Sequence, residues 1–358
     1  MWYNTKATKL LGIDYPIMQG PFGGRLSSVE LVATVSNEGG LGGYGAYTLD
    51  PQEIIEVNDK IKAATNKPYN INLWVSDSDV QNGMVTDEQY EQVAKLFKPY
   101  FEEAGIALPA KPAPFNSRFE NQVQVILDIR PGVFTFTFGV PSADILEQCR
   151  KLGIKTGGTA TTLDEGIALE AAGVDMIIAS GFEAGGHRPS FLSSAEQSIT
   201  GTFVLVQLIK EKVKTPVIAA GGIANGRSVA AAITLGADAV QVGTAFLACD
   251  ESGALPVHKR MLFSGAAKYT TLSRAFTGRL GRGITSRLAR DIEGREKQFL
   301  PFPLQSTFMS SLRKAALDQQ KWDMIHFWSG QVAPVLKHTK ASVLMQSLID
   351  ETSKIIKS

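Results

Sequence analysis

Short apolar runs alternate with helix-like stretches along residues 1–243, and this rhythm limits the possible folds more than any other feature. Strands that alternate with helices are typical of parallel βαβ units. Counted loosely, there are about eight such units, which predicts a closed (β/α)8 TIM barrel. The predicted strands are residues 17–20, 41–44, 69–75, 134–139, 154–159, 175–181, 217–222 and 239–243.

Helical periodicity fills most of the intervals between these strands. The runner-up architecture is an open doubly wound α/β sheet. It is less favoured because no Gly-x-Gly-x-x-Gly motif follows the first strand with an acidic residue about 20 positions later. The predicted helices are residues 28–37, 51–65, 142–152, 162–172, 202–213 and 227–235, and a longer polar, partly helical stretch runs to residue 115.

The pattern changes after residue 249. Residues 250–322 lack strand signals, are rich in basic and small residues, and contain a helical run near residues 308–320. We interpret this segment as a mostly helical cap inserted near the last barrel strand. Residues 1–249 and 323–358 are then the barrel, which a final helix over residues 341–356 completes.

The composition limits the kinds of molecule that the protein is expected to bind. The 358 residues carry a formal net charge of +1, so no basic surface for nucleic acid is expected. Cys149 and Cys249 are the two cysteines, too few for a disulfide framework, and no zinc-type spacing is present. With no apolar segment typical of a signal peptide or a membrane span, we expect a cytoplasmic protein that binds small molecules or another copy of itself.

Glycines cluster where strands are predicted to end. In a TIM barrel the active site lies at the carboxyl ends of the strands, and the loops after strands 7 and 8 commonly hold phosphate. Gly221 and Gly222 end the seventh strand, and Gly243 with Thr244 ends the eighth. Glycine lets backbone N–H groups approach an anion closely. A phosphate-bearing cofactor is therefore predicted, and the alternative is that these glycines only permit tight turns.

A further glycine pair, Gly185 and Gly186, precedes His187 after the sixth strand. Such a loop places an imidazole at the mouth of the barrel, where it can accept a proton or bind an anion. The alternative is a surface histidine that pairs with Glu183. Structural or surface roles are assumed for His258 and His338, whereas the role of His326, which precedes Phe-Trp-Ser-Gly-Gln, is left open.

Amide side chains are candidates for a flavin ring, whose pyrimidine edge needs groups that both donate and accept hydrogen bonds. Gln19 lies at the end of the first strand, Asn72 on the third and Gln241 on the eighth. Each of them could instead satisfy neighbouring backbone inside the barrel.

Four segments together resemble the nitronate monooxygenases, formerly called 2-nitropropane dioxygenases. They are GIDYPIMQGPFGG, EAGGH, PVIAAGGIANG and GADAVQVGTAF, and AFTGRLGRGI and HFWSGQ continue the likeness towards the C-terminus. The resemblance implies non-covalently bound FMN and the oxidation of alkyl nitronates by O2 to a carbonyl compound and nitrite. Propionate 3-nitronate is a plausible substrate, and a homo-oligomer is possible.

The resemblance also implies site residues. The FMN contacts would be Asn72, Gly185, Gly222 and residues 241–244 (Gln241, Val242, Gly243 and Thr244), and His187 would be the active-site histidine. Two positions depart from the family pattern: Ser180 stands where glutamine is frequent, and Pro189 stands where glycine is common. With Ser180 the side-chain contact to the flavin would be shorter or mediated by water, and Pro189 stiffens the loop.

Two other functions remain open on sequence grounds. The first is an FMN-dependent NAD(P)H reductase of enoyl thioesters or quinones on the same scaffold. The second, from a different class, is a flavin-binding barrel without catalytic activity.

Overall fold

Eight parallel strands form the centre of the computed structural model, which describes residues 1–75, 79 and 83–356. All eight predicted strands are confirmed, and their bounds differ from the predicted ones by at most two residues. The barrel strands are β1 (Ile17–Gln19), β2 (Gly42–Gly45), β3 (Tyr69–Trp74), β4 (Val133–Thr137), β5 (Lys155–Ala160), β6 (Met176–Ser180), β8 (Val217–Ala220) and β9 (Ala239–Val242).

The sheet closes on itself. Its strand order is β1-β9-β8-β6-β5-β4-β3-β2, and every neighbouring pair is parallel. A parallel bridge between Met18 and Leu41 joins the first strand to the second. The TIM-barrel prediction is therefore confirmed, and the carboxyl ends of all eight strands meet at one rim.

Helices follow the strands, and several of them begin after a residue whose side chain caps the first turn. Asp50 caps one helix by accepting from the Glu53 N–H, while the Glu53 carboxylate accepts from the Asp50 N–H. The helices are α1 (Lys6–Leu11), α2 (Val29–Asn37), α3 (Pro51–Ala64), α4 (Asp87–Glu103), α5 (Phe119–Ile129), α6 (Ala143–Lys151), α7 (Leu163–Ala172), α8 (Thr202–Lys212), α9 (Gly226–Thr234), α10 (Thr244–Leu247), α11 (Pro256–Leu262), α12 (Arg287–Asp291), α13 (Leu304–Asp318) and α14 (Ala341–Ile355).

A small antiparallel sheet stands over the barrel, and it corrects one expectation. Residues 250–322 were expected to lack strands, but they contain β10 (Thr270–Ser273) and β11 (Gly281–Ile284). Strand β11 pairs both with β10 and with β7 (Gly186–His187) from the loop after β6. The sequence GRGI carries little of the β-branched and aromatic signal of a strand, so only its pairing partners reveal it.

Besides a small cluster of buried residues that includes Met18, Met176 and Ile218 of the barrel strands, two larger apolar cores support these layers. The first fills the space between the barrel strands and their helices. The second joins α4 to the segment after the last strand, with Phe97 and Phe101 packing on Phe308 at ring distances of 5.9 and 5.5 Å. The proposed division into residues 1–249 with 323–358 and residues 250–322 stays a prediction. Among the described helices, none has the length and apolar character required to cross a bilayer.

Candidate active site

A cavity of about 550 Å³ opens at the carboxyl ends of the strands, between the barrel and the small sheet. Its barrel side carries polar side chains and glycines, and its opposite side carries aromatic rings. The predicted site residues that line it are Asn72, Ser180, Gly185, Gly186, His187, Gly221, Gly222, Gln241, Gly243 and Thr244. The fold therefore brings together ten residues that the chain separates by up to 172 positions.

The glycine ends of β8 and β9 lie side by side in this cavity. Gly221 and Gly222 have φ of 110° and 71°, in the region that glycine adopts at low cost. A Cβ on Gly221 would also stand 2.7 Å from Thr202 Oγ1. At Gly243, in contrast, a Cβ would meet no described atom within 4 Å, which leaves that backbone open to a ligand.

Two helices start at this rim, and they differ in whether the N–H groups of their first turns have hydrogen-bond partners. Helix α9 is capped by Asn225 and Ser228, and the Gly226 N–H donates to the Glu351 carboxylate at 3.0 Å. Helix α10 begins at Thr244 without a side-chain cap. First-turn N–H groups have no partner within their own helix. An anion would therefore find donors at the Gly243–Thr244 turn rather than at α9.

His187 stands in the cavity wall at the end of β7. Its Nε2 lies 2.9 Å from Thr277 Oγ1, a residue of the cap segment. Three aromatic rings surround the imidazole, with centroid distances of 5.2 Å to Trp74, 4.7 Å to Trp328 and 6.0 Å to Phe302. The small sheet thus fixes a histidine that the sequence shows only as a loop residue.

Its surroundings keep His187 neutral. Burial by protein atoms, followed by the positive charges of Arg279 and of His326 when protonated, lowers the pKa of His187 to about 3. An imidazole with this pKa carries no charge at physiological pH, so one ring nitrogen donates and the other accepts. It can donate a hydrogen bond to an anion, but it is a weak general base.

Two arginines hold the loop that carries His187. The buried Arg188 guanidinium donates to the carbonyls of Gly181 and Ser198, each at 2.6 Å, and more weakly to Ser180 at 3.3 Å. Arg282 on β11 donates to the Phe182 carbonyl at 3.0 and 3.2 Å. These contacts fix the chain between β6 and β7, and with it the position of the imidazole.

The structure places the three candidate amide side chains differently. Asn72 lines the cavity while its Nδ2 donates to Thr135 Oγ1 at 3.0 Å, and Gln241 lines it from β9. Gln19 lies outside the cavity lining, because its Nε2 donates to the Gly20 carbonyl and its Oε1 accepts from the Gly43 N–H at 2.8 Å. The side chain of Val242 packs in the barrel core. Neither residue lines the cavity, and the flavin contacts predicted for Gln19 and Val242 stay predictions.

Several residues of the cavity were not singled out from the sequence. They come mostly from the aromatic side and from the segment after β9, and they are Trp74, Thr277, Phe302, Arg313 and Trp328. Trp74 could have been noticed, since it ends the third strand at the active-site rim. The others lie far along the chain, where no periodicity points to the cavity.

This arrangement defines the class: a (β/α)8-barrel enzyme with a glycine-lined ligand cavity and a neutral histidine in its wall. The family model for nitronate monooxygenase matches residues 4–351. A probable nitronate monooxygenase from Staphylococcus haemolyticus (strain JCSC1435) is 36% identical over 358 residues, which covers 99% of each chain. The chain therefore belongs to the nitronate monooxygenase family.

Solved structures agree with this assignment. The nitroalkane oxidase from Streptomyces ansochromogenes has a TM-score of 0.87 and 33% identity, covering 97% of this chain and 98% of that one. FabK from Thermotoga maritima has a TM-score of 0.76 and 27% identity, covering 99% and 97%. The fold is thus shared along nearly the whole chain.

Proposed function

We propose that this enzyme binds FMN without a covalent bond and uses O2 to oxidise alkyl nitronates to a carbonyl compound and nitrite. The observation that carries the proposal is the neutral His187, held by Thr277 in the wall of a cavity whose opposite side is lined by glycines and amides. The family assignment supports the reaction.

The cavity suits FMN on chemical grounds. The strand ends at Gly221–Gly222 and Gly243–Thr244 offer backbone N–H groups to a phosphate, and Gly243 leaves open space beside them. The amide and hydroxyl groups of Asn72, Ser180 and Gln241 can donate to and accept from the polar edge of the ring system. When bound, the flavin supplies the redox chemistry, and the protein supplies position and polarity.

His187 contributes a hydrogen bond rather than proton abstraction. A nitronate is already an anion, so it needs no base before it reacts. A neutral imidazole can donate from one ring nitrogen to an oxygen of the nitro group. Its Nε2 lies at hydrogen-bond distance from Thr277 Oγ1, a hydroxyl that can donate or accept. Because its low pKa makes His187 a weak base, we expect nitronates to be used much faster than neutral nitroalkanes.

A carboxylated substrate, propionate 3-nitronate, fits the charge of the cavity. Arg313 on α13 lines its cap side, and no carboxylate of the described residues pairs with this guanidinium. A cation of this kind attracts a second anionic group on the substrate. The substrate would then place its nitro group near His187 and its carboxylate towards the cap.

The test is to mix the purified protein without oxygen, separately, with propionate 3-nitronate and with NADH. We expect loss of the oxidised-flavin absorbance with the nitronate and none with NADH. A protein that cannot be loaded with FMN, or one that only NADH reduces, would refute the proposal.

The role of His187 is tested by His187→Asn. We expect FMN to remain bound and turnover of the nitronate to fall by about 100-fold, the lower end for a lost catalytic hydrogen-bond donor. His338→Asn is the matched control, because His338 lies outside the cavity lining. Turnover that is the same in both variants would remove His187 from the chemistry.

A second candidate is an FMN-dependent NAD(P)H reductase of enoyl thioesters or quinones. The sequence leaves this candidate open. The NADH arm of the same experiment distinguishes the two candidates, since rapid bleaching by NADH alone would support the reductase.

A further inference from the structure

His326 is a buried histidine whose ring nitrogens are both without a partner. The residue is 7% exposed, and neither Nδ1 nor Nε2 has a hydrogen bond to the described residues. It lines the cavity on the cap side, in the segment HFWSGQ. Since buried polar groups are normally paired, such an imidazole needs an explanation.

Packing alone holds the His326 ring in place. It stacks on Phe276 at a centroid distance of 4.6 Å and stands edge-on to Trp328 at 4.5 Å. On another side, a Cβ at Gly283 would come within 2.6 Å of its Cε1 and Nε2 atoms. The ring is therefore fixed by apolar contacts, and its hydrogen-bonding capacity is left for another molecule.

The nearby His258 shows the ordinary alternative. It is also buried, but its Nε2 lies 2.8 Å from the Trp328 carbonyl oxygen, so its ring has a partner within the protein. The two histidines are thus buried to a similar extent, but only His258 has a hydrogen-bond partner in the protein. The difference points to a ligand at His326 and not at His258.

His326 and His187 lie on the same tryptophan. The Trp328 ring centroid is 4.5 Å from that of His326 and 4.7 Å from that of His187. A ligand that contacts both imidazoles must therefore carry hydrogen-bonding groups at two ends. Arg313 lines the same cap side of the cavity, and its charge favours an anionic group there.

We infer that His326 is a substrate-contacting residue that donates a hydrogen bond to a carboxylate at the non-reacting end of the substrate. This inference rests on the proposed function and adds the residue that discriminates between substrates. Arg313 supplies the charge at that end, and His326 supplies a directed donor. Nitronates with a terminal carboxylate would then be preferred over plain alkyl nitronates.

The experiment compares 3-nitropropionate with 1-nitropropane, two three-carbon compounds that differ only in a carboxylate in place of the terminal methyl group. Both are titrated without oxygen into the FMN-loaded protein by calorimetry. The variants are His326→Phe, which keeps the stack on Phe276 and removes the donor, and His326→Gln, which restores a donor. His338→Phe, outside the cavity lining, is the matched control.

We expect His326→Phe to weaken 3-nitropropionate binding by about tenfold, in the range of a hydrogen bond to a charged group. Binding of 1-nitropropane should change by less than about twofold, and His326→Gln should recover part of the loss. His326→Phe should unfold at the same or a higher temperature than wild type, because it removes an unpaired buried imidazole.

Two results would overturn the inference. If neither ligand loses affinity in His326→Phe, the imidazole contacts no substrate. If both ligands lose it equally, His326 contacts the nitro end instead. Turnover of a plain alkyl nitronate by the wild-type enzyme tests the proposed function separately, so failure of one conclusion is not confused with failure of the other.

Discussion

Three histidines, two of them buried and His187 half-buried in the cavity wall, make this protein sensitive to mild acid. Burial is the largest cause in each case, and it lowers the pKa of His187 to about 3, of His258 to about 4 and of His326 to about 3. In the unfolded chain these imidazoles return to a pKa near 6.5. The unfolded state therefore binds more protons below about pH 6.5, so the stability contribution is complete above that pH and is lost as the pH falls towards 4.

The magnitude follows from the shifts. One pKa unit corresponds to about 1.4 kcal/mol, so between about pH 7.5 and pH 5.0 each histidine lowers the free energy of unfolding by about 2 kcal/mol, and the three together by about 6 kcal/mol. His258→Gln removes one of these groups, and its amide can still donate to the Trp328 carbonyl oxygen. Wild type should lose about 2 kcal/mol more than this variant over the same interval.

Urea unfolding followed by tryptophan fluorescence, at a fixed excess of FMN, measures this difference at each pH. His338→Gln, which removes a histidine outside the cavity lining, serves as the control. Groups present in both proteins cancel in the difference between wild type and variant. If wild type and His258→Gln lose equal stability between about pH 7.5 and 5.0, the reasoning from buried neutral imidazoles is wrong.

Two further substitutions test how the site is held. Thr277→Val removes the hydroxyl 2.9 Å from His187 Nε2, so kcat for a nitronate should fall by about tenfold at unchanged FMN content. Steady-state kinetics equal to wild type would show that Thr277 does not orient the imidazole. Gly185→Ala places a Cβ 2.5 Å from the Gly330 nitrogen, which should destabilise the protein by about 1–3 kcal/mol and weaken FMN binding. Unchanged urea and FMN titrations would contradict that clash.

The barrel could be predicted because its signal is local. Most strands are short apolar runs, and several helices carry their own cap, as Asp50 and Glu53 show for α3. The glycine pairs at residues 221–222 and 185–186 were also readable, since glycine after a strand marks a turn near the active-site rim. Positions along the chain therefore predicted most of the cavity's barrel side.

The hydrogen-bond partner of a polar side chain cannot be predicted from the residues next to it in the sequence. Gln19 looked as suitable for a flavin as Gln241, but in the fold its amide is used by Gly20 and Gly43. Strand β11 could not be predicted for the same reason: its GRGI segment becomes a strand only because β7 and β10 lie beside it. In both cases the deciding neighbour is distant in sequence.

The sequence by itself determined the barrel, the family resemblance and the histidine at the barrel mouth, because these depend on periodicity and on short motifs. Only the tertiary structure decided the state of each histidine. His187 is held by Thr277, His258 by the Trp328 carbonyl, and His326 by no hydrogen bond to the described residues. Burial and pairing are properties of the packed neighbourhood, and folding alone brings those neighbours together.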